Sequence, residues 1–84
     1  MVNEQWLNKQ KQIKDGIKFR LKKARLAARM TQGDIAKKLG VTYQMIQQYE
    51  NGYRVPKDET IYELCVILNA DPEWIRYGRK ADYE

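Results

Sequence analysis

The chain has 84 residues, 43% of them hydrophobic and 32% charged, with a formal charge of +5. That length supports one small domain with a modest core, and the composition is that of a soluble globular protein. The chain contains no histidine and no serine, which excludes Ser-His and Cys-His nucleophile pairs, and its one cysteine, Cys65, excludes an internal disulfide and a Cys/His zinc site.

Nothing asks for an enzyme or a cofactor. No glycine-rich phosphate loop is present, and Cys65 falls in an apolar pattern, as a core residue does. No apolar run approaches the ~18 residues of a membrane span, and the polar start MVNEQWLNKQKQIK is not a signal peptide. The expectation is a cytoplasmic protein without membrane contact or a small-molecule ligand. The charge is uneven: residues 1–30 hold nine Lys/Arg against two Asp/Glu, residues 31–56 three against two, and residues 57–84 four against seven. One basic end and one acidic end point to a side that faces a polyanion and a side turned away from it.

Helical periodicity runs through the chain, and strand signals are weak. The first predicted helix carries Ile13, Ile17, Leu21, Ala24 and Ala28 on one stripe, with lysines and arginines opposite. Trp6 and Gln10 extend the stripe toward the N-terminus, but Gly16 interrupts it, so residues 1–16 read as an arm or a helix extension. Phe19 lies off the stripe and is expected against the arm or a partner. Thr31 caps a second helix, with Asp34 completing a capping box, Ile35, Ala36 and Leu39 inward, and Gly40 as its stop. Thr42 caps a third, which runs to about Asn51 before Gly52 ends it. The loop Tyr53-Arg54-Val55-Pro56 leads to a fourth helix over 58–68, with Ile61, Leu64, Cys65 and Leu68 inward and Asn69 in a left-handed cap. Asp71-Pro72 opens a short fifth helix anchored by Trp74 and Ile75, and a tail follows Gly78. Five short helices without a sheet make an all-α domain. The turn Gly40-Val41-Thr42 is too short for a long antiparallel hairpin and suits two helices crossing steeply.

Residues 42–51 divide sharply on a helical wheel. With Ile46 at zero, Thr42, Tyr49 and Glu50 fall within roughly 60° of it, while Gln44, Gln47, Gln48 and Asn51 share the opposite ~100°. A solvated face usually carries Lys and Glu, but this one carries only carboxamides. A carboxamide offers one acceptor and two donors in a plane, which pairs with adenine N6 and N7 in the DNA major groove. An acid there would be repelled by phosphates, and none is present.

The stretch QGDIAKKLGVTYQMIQQYENG resembles the helix-turn-helix of the Cro/C1-type repressor family. Ala36 stands at the small position where the two helices cross, Gly40 at the left-handed turn glycine, and Val41 and Ile46 at the apolar positions that lock the pair. LKKARLAARMTQ and DPEWIRYG resemble the end of the family's first helix and its fifth. The resemblance covers about Ile17 to Gly78. It implies a compact five-helix, lambda repressor-like DNA-binding domain over 17–78, flanked by the 1–16 arm or helix extension and a 79–84 tail. It also implies base-reading or groove-edge positions at Thr42, Tyr43, Gln44 and Gln48. Gln32, Gln47, Asn51, Tyr53 and Arg54 would meet the backbone or groove edge, with Lys22, Lys23 and Arg29 as candidates supported mainly by charge. The family pairs the position of Glu50 with an arginine, and Arg25 stands at the matching place, so the two are expected to form a structural ion pair.

Two departures stand out. Arg29 replaces the glycine or small residue common before the second helix, and Tyr43 and Met45 are bulkier than the short polar residues frequent at their positions. Proteins of this kind gain specificity as two-fold dimers, and Tyr62, Val66, Trp74 and Ile75 are the candidate self-association patch. The resulting expectation is a non-enzymatic transcriptional regulator that binds a double-stranded DNA operator as a homodimer, in the manner of a phage or prophage Cro- or C1-like repressor. Its length leaves no room for an inducer-binding second domain, so it is either complete and Cro-like or the DNA-binding part of a longer repressor. The rival is an antitoxin-like protein-interaction module that kept the fold, supported by Phe19, Tyr62, Val66 and the N-terminal segment. A membrane-surface helix over 9–29 is disfavoured, because its apolar stripe is committed to the core.

Overall fold

The computed structural model describes the backbone of residues 4–79 and the side chains of residues 16–79. Five helices follow in order: α1 (Glu4–Ala27), α2 (Gln32–Leu39), α3 (Tyr43–Asn51), α4 (Asp58–Leu68) and α5 (Pro72–Tyr77), with no strand among the described residues. The architecture is all-α, as the periodicity predicts. The side chains of Trp6, Gln10 and Ile13 and the tail beyond Arg79 lie outside the described residues.

Local chemistry sets most of the boundaries. Thr31 Oγ1 accepts from the Asp34 N–H and the Asp34 carboxylate accepts from the Thr31 N–H, which completes the capping box of α2. Thr42 caps α3 and Asp71 caps α5, with Pro72 at its first position. At the other ends Gly40, Gly52 and Gly78 take left-handed conformations, and Asn69 does the same after α4. Gly40 has open space around a would-be Cβ, so its positive φ of 78° is what requires glycine there.

The end of α1 is the departure with a structural consequence. Arg29 N donates to Leu26 O and Met30 N to Arg25 O, the two bonds of a Schellman motif, and Arg29 sits at its left-handed position with φ 57°. The turn therefore keeps the shape that glycine would give it. An L-residue in that conformation costs roughly 1–2 kcal/mol.

The core gathers Ile17, Leu21 and Ala24 from α1, Ile35 and Ala36 from α2, Ile46 and Tyr49 from α3, Ile61, Leu64, Cys65 and Leu68 from α4, and Ile75 from α5. Burying each large aliphatic side chain contributes about 1.5–3 kcal/mol. Val41, Met45 and Trp74 pack against this cluster while partly exposed. Burial pushes the Cys65 thiol above its ordinary range and keeps it protonated. Phe19 is exposed, with the Lys18 ammonium 5.1 Å from its ring centre.

Ile75 corrects an expectation. The sequence puts it among the self-association candidates, but its exposure is 0%, so it belongs to the core and cannot touch a second copy. In a six-residue helix the sequence offers less than two turns from which to tell the inner face from the outer. Trp74 likewise packs on the core, and only Tyr62 and Val66 of that patch are exposed.

A long-range cap fixes α5 against α1. Arg20 Nε donates to Ile75 O at 2.7 Å and Arg20 Nη2 to Arg76 O at 2.9 Å, which supplies donors to carbonyls at the helix end. Gly16, one turn earlier on α1, leaves room for this guanidinium: a Cβ there would collide with Arg20 Nη1. The glycine that interrupts the apolar stripe thus makes space for the α5 anchor, and α1 continues through it.

Candidate nucleic-acid interface

The two faces of α3 are chemically distinct. Ile46 and Tyr49 are buried, and the Glu50 side chain is only 6% exposed. Tyr43, Gln44 and Asn51 are exposed on the outward side, and Gln47 and Gln48 are half-buried beside them. The exposed Thr42 keeps its hydroxyl on the Met45 N–H at 3.2 Å, so its first task is to start the helix. No acid occupies the first turn of α3, so its N-terminal partial positive charge is left for an outside anion.

Arg25 and Glu50 brace this helix from within. Arg25 Nε donates to Glu50 Oε2 at 2.7 Å and Arg25 Nη2 to Glu50 Oε1 at 3.0 Å, a bidentate pair. Arg25 Nη1 donates to Met30 O at 3.0 Å in the α1–α2 turn. The hydrogen bond that Arg25 donates to Glu50 raises Arg25 above its usual range against the opposing effect of burial. Gln32 closes the network: its Nε2 donates to Glu50 Oε1 at 3.1 Å. The resemblance assigns Gln32 to the DNA backbone or groove edge. One of its amide hydrogens is instead committed to Glu50, which leaves the second, the amide oxygen and the backbone N–H groups of α2 for an outside partner.

Lys22, Gln32, Gln47, Glu50 and Asn51 line one open depression. Lys22 and Gln32 continue into a wider groove with Arg29, Thr31, Gly33 and Tyr43. The two depressions bring together the outward edge of α3, the start of α2 and the basic side of α1. Lys23 is exposed and lines neither. Gln44 stands free of both on the outer surface of α3.

Beyond the end of α3, Tyr53 is 87% exposed, and its N–H is taken by Asn51 Oδ1 at 3.1 Å. Arg54 N donates to Gln48 O at 3.2 Å, which ties the loop to the helix it follows. The Arg54 side chain lines a separate cavity with Lys18, Val55 and Pro56, below the Gly52 stop. Tyr43 and Gln47 meet directly, with Gln47 Nε2 donating to Tyr43 Oη at 2.9 Å. The resemblance gives the two separate roles, Tyr43 on the bases or groove edge and Gln47 on the backbone or groove edge. Their spacing of four on one helix was the available signal.

The arrangement is a short helix clamped on one side by a buried ion pair and presenting carboxamides and a phenol on the other, beside basic side chains. A family model described as "Helix-turn-helix" matches residues 21–75. The chain belongs to the Cro/C1-type helix-turn-helix family. That is a family of DNA-binding regulators. The chain is also 34% identical over 56 residues to multiprotein-bridging factor 1c of Arabidopsis thaliana, a match that takes in 67% of this chain and 38% of that protein. The chain therefore spans well under half the length of this relative.

In helix-turn-helix terms, α2 and α3 are the paired helices, Gly40-Val41-Thr42 is the turn and α3 is the recognition helix. Among the described residues, no group of His, Cys, Asp or Glu could hold a metal ion, and no helix is long and apolar enough to cross a membrane.

Proposed function

We propose that this helix-turn-helix chain is a transcriptional regulator that reads a specific double-stranded DNA operator, as a phage or prophage Cro- or C1-like repressor acting in the cytoplasm. The observation that carries this reading is the outward face of α3, which holds Gln44, Gln47, Gln48 and Asn51 without an acid while the one glutamate of the helix is turned inward on Arg25. Gln44 and Gln48 are the base readers, with Tyr43 and Thr42 at the groove edge nearest the helix start. Gln32, Gln47, Asn51, Tyr53 and Arg54 meet the sugar-phosphate backbone, helped by Lys22 and Arg29.

One recognition helix reads only a few base pairs, so specificity calls for a two-fold dimer on a palindromic site, with half-sites about 34 Å apart. Tyr62 and Val66 are the exposed apolar pair available to such a dimer.

The second reading is a protein-interaction module that kept the fold. It is favoured by the exposure of Phe19, Tyr62 and Val66 and by a relative named a multiprotein-bridging factor. Binding titrations separate the two. Gln44→Ala and Gln48→Ala should each cost about 1–3 kcal/mol on the preferred duplex and little on random DNA. Arg54→Ala should weaken binding to all sequences and lower the salt slope by about 1. A chain that binds every duplex equally, with or without these glutamines, is not an operator reader.

A further inference from the structure

The contact between Tyr43 and Gln47 has a chemical direction. A phenol has one proton to give and lone pairs to accept with, whereas a carboxamide nitrogen can only give. Gln47 Nε2 donates to Tyr43 Oη at 2.9 Å, so the hydroxyl proton is left for a partner outside the helix. The residues lie four apart at the open edge of α3, with Tyr43 49% exposed and Gln47 half-buried beneath the outward face. The carboxylate on the same helix does not compete for that proton, because Glu50 is turned inward and filled by Arg25 and Gln32.

We propose that Gln47 is a positioning residue that presents Tyr43 to DNA as a fixed hydrogen-bond donor, so that Tyr43 selects an acceptor, either a purine N7 or a phosphate oxygen, and rejects a donor such as cytosine N4. The inference rests on the operator-reading function above. It assigns the tyrosine a polarity that a mobile hydroxyl would not have, and it moves Gln47 from the DNA backbone to a role inside the helix. A side chain held in place before binding loses less conformational freedom on contact, which favours affinity as well as selectivity.

Chemically modified operators test this. Each purine under the N-terminal end of α3 is replaced by its 7-deaza analogue, and each neighbouring phosphate by methylphosphonate, and binding is measured for the wild type, Tyr43→Phe and Gln47→Met. One DNA change should weaken the wild type about three- to tenfold, the range of one net hydrogen bond. The same change should leave Tyr43→Phe unaffected. The 7-deaza arm identifies a base contact and the methylphosphonate arm a phosphate contact. Gln47→Met, melting as the wild type does, should show a reduced penalty at that one position only.

In the free protein, Tyr43→Phe should shift the side-chain amide NMR signals of Gln47. Unchanged Gln47 signals, a Tyr43→Phe that keeps every wild-type penalty, or a Gln47→Met that matches the wild type would overturn the proposal. If Gln44→Ala and Gln48→Ala lose the operator while Tyr43→Phe changes nothing, this inference fails and operator reading stands. If no duplex is preferred at all, both fail.

Discussion

Arg25 and Glu50 together tie four segments: α1 carries the guanidinium, the Met30 turn and Glu50 of α3 accept from it, and Glu50 also accepts from Gln32 of α2. The pair is nearly enclosed, with side-chain exposures of 11% and 6%. Removing one partner leaves a charge with little water around it. Arg25→Ala or Glu50→Ala should therefore destabilise the fold by about 3–5 kcal/mol, read by thermal or denaturant melting. That is a large share of the roughly 5–15 kcal/mol typical of a whole domain. The double variant Arg25→Met with Glu50→Met should recover most of the loss, because no charge is stranded; a double variant as unstable as the sum of the two singles would contradict this. Arg29 poses the opposite trade. Arg29→Gly relieves a left-handed arginine but loosens the unfolded chain, for a net gain of about 0.5–1 kcal/mol in melting. It also removes a cation from the groove beside Tyr43, so DNA affinity should fall with a shallower salt slope.

At the scale of elements, the capping chemistry sets the response to acid. The backbone N–H and the hydroxyl of Thr31 hold the Asp34 carboxyl below the ordinary carboxylate range. A depressed folded-state pKa contributes stability above the unfolded value and loses it as pH falls through the folded value. Asp34→Asn should be less stable than the wild type at neutral pH, and the two should converge in acid melts. Equal gaps at pH 7 and in acid would remove the ionised cap from the explanation.

The α5 anchor can be tested by a cycle. In an Arg20→Ala background, Gly16→Ala should give the usual helix gain of about 0.5–1 kcal/mol. With Arg20 present, that gain should vanish or reverse, since the new methyl group displaces the guanidinium from Ile75 and Arg76. These elements show what the sequence could tell. The caps at Thr31, Thr42, Asn69 and Asp71 were legible because each acts within a few residues of itself. The Arg20 bonds to carbonyls 55 and 56 positions away were not, nor was the reason for Gly16, which depends on them. The inward side of Ile75 is not legible in the sequence, because α5 is too short for periodicity to reveal its faces. The interior role of Glu50 was legible from the wheel, whereas the pull of Gln32 toward it depends on how α2 docks on α3.

At the scale of the whole molecule the formal charge is +5, with the excess of Lys and Arg in residues 1–30 and the excess of acid in residues 57–84. With that net charge, and with Lys22 and Arg29 in the groove beside Tyr43, binding to DNA should release counterions, so affinity should fall with salt whatever the sequence. That attraction carries no sequence information. On the proposed function, specificity falls to the carboxamide face of α3 and to the symmetry of a pair of copies. The most direct measurement is selection of binding sites from random duplexes, with the wild type and a Gln44→Ala, Gln48→Ala variant run in parallel. The wild type should enrich one two-fold symmetric sequence with half-sites about one helical turn apart, and the variant should lose preference at defined positions within each half. A wild type that enriches no sequence, or a variant that enriches the same sequence as strongly, would contradict the account.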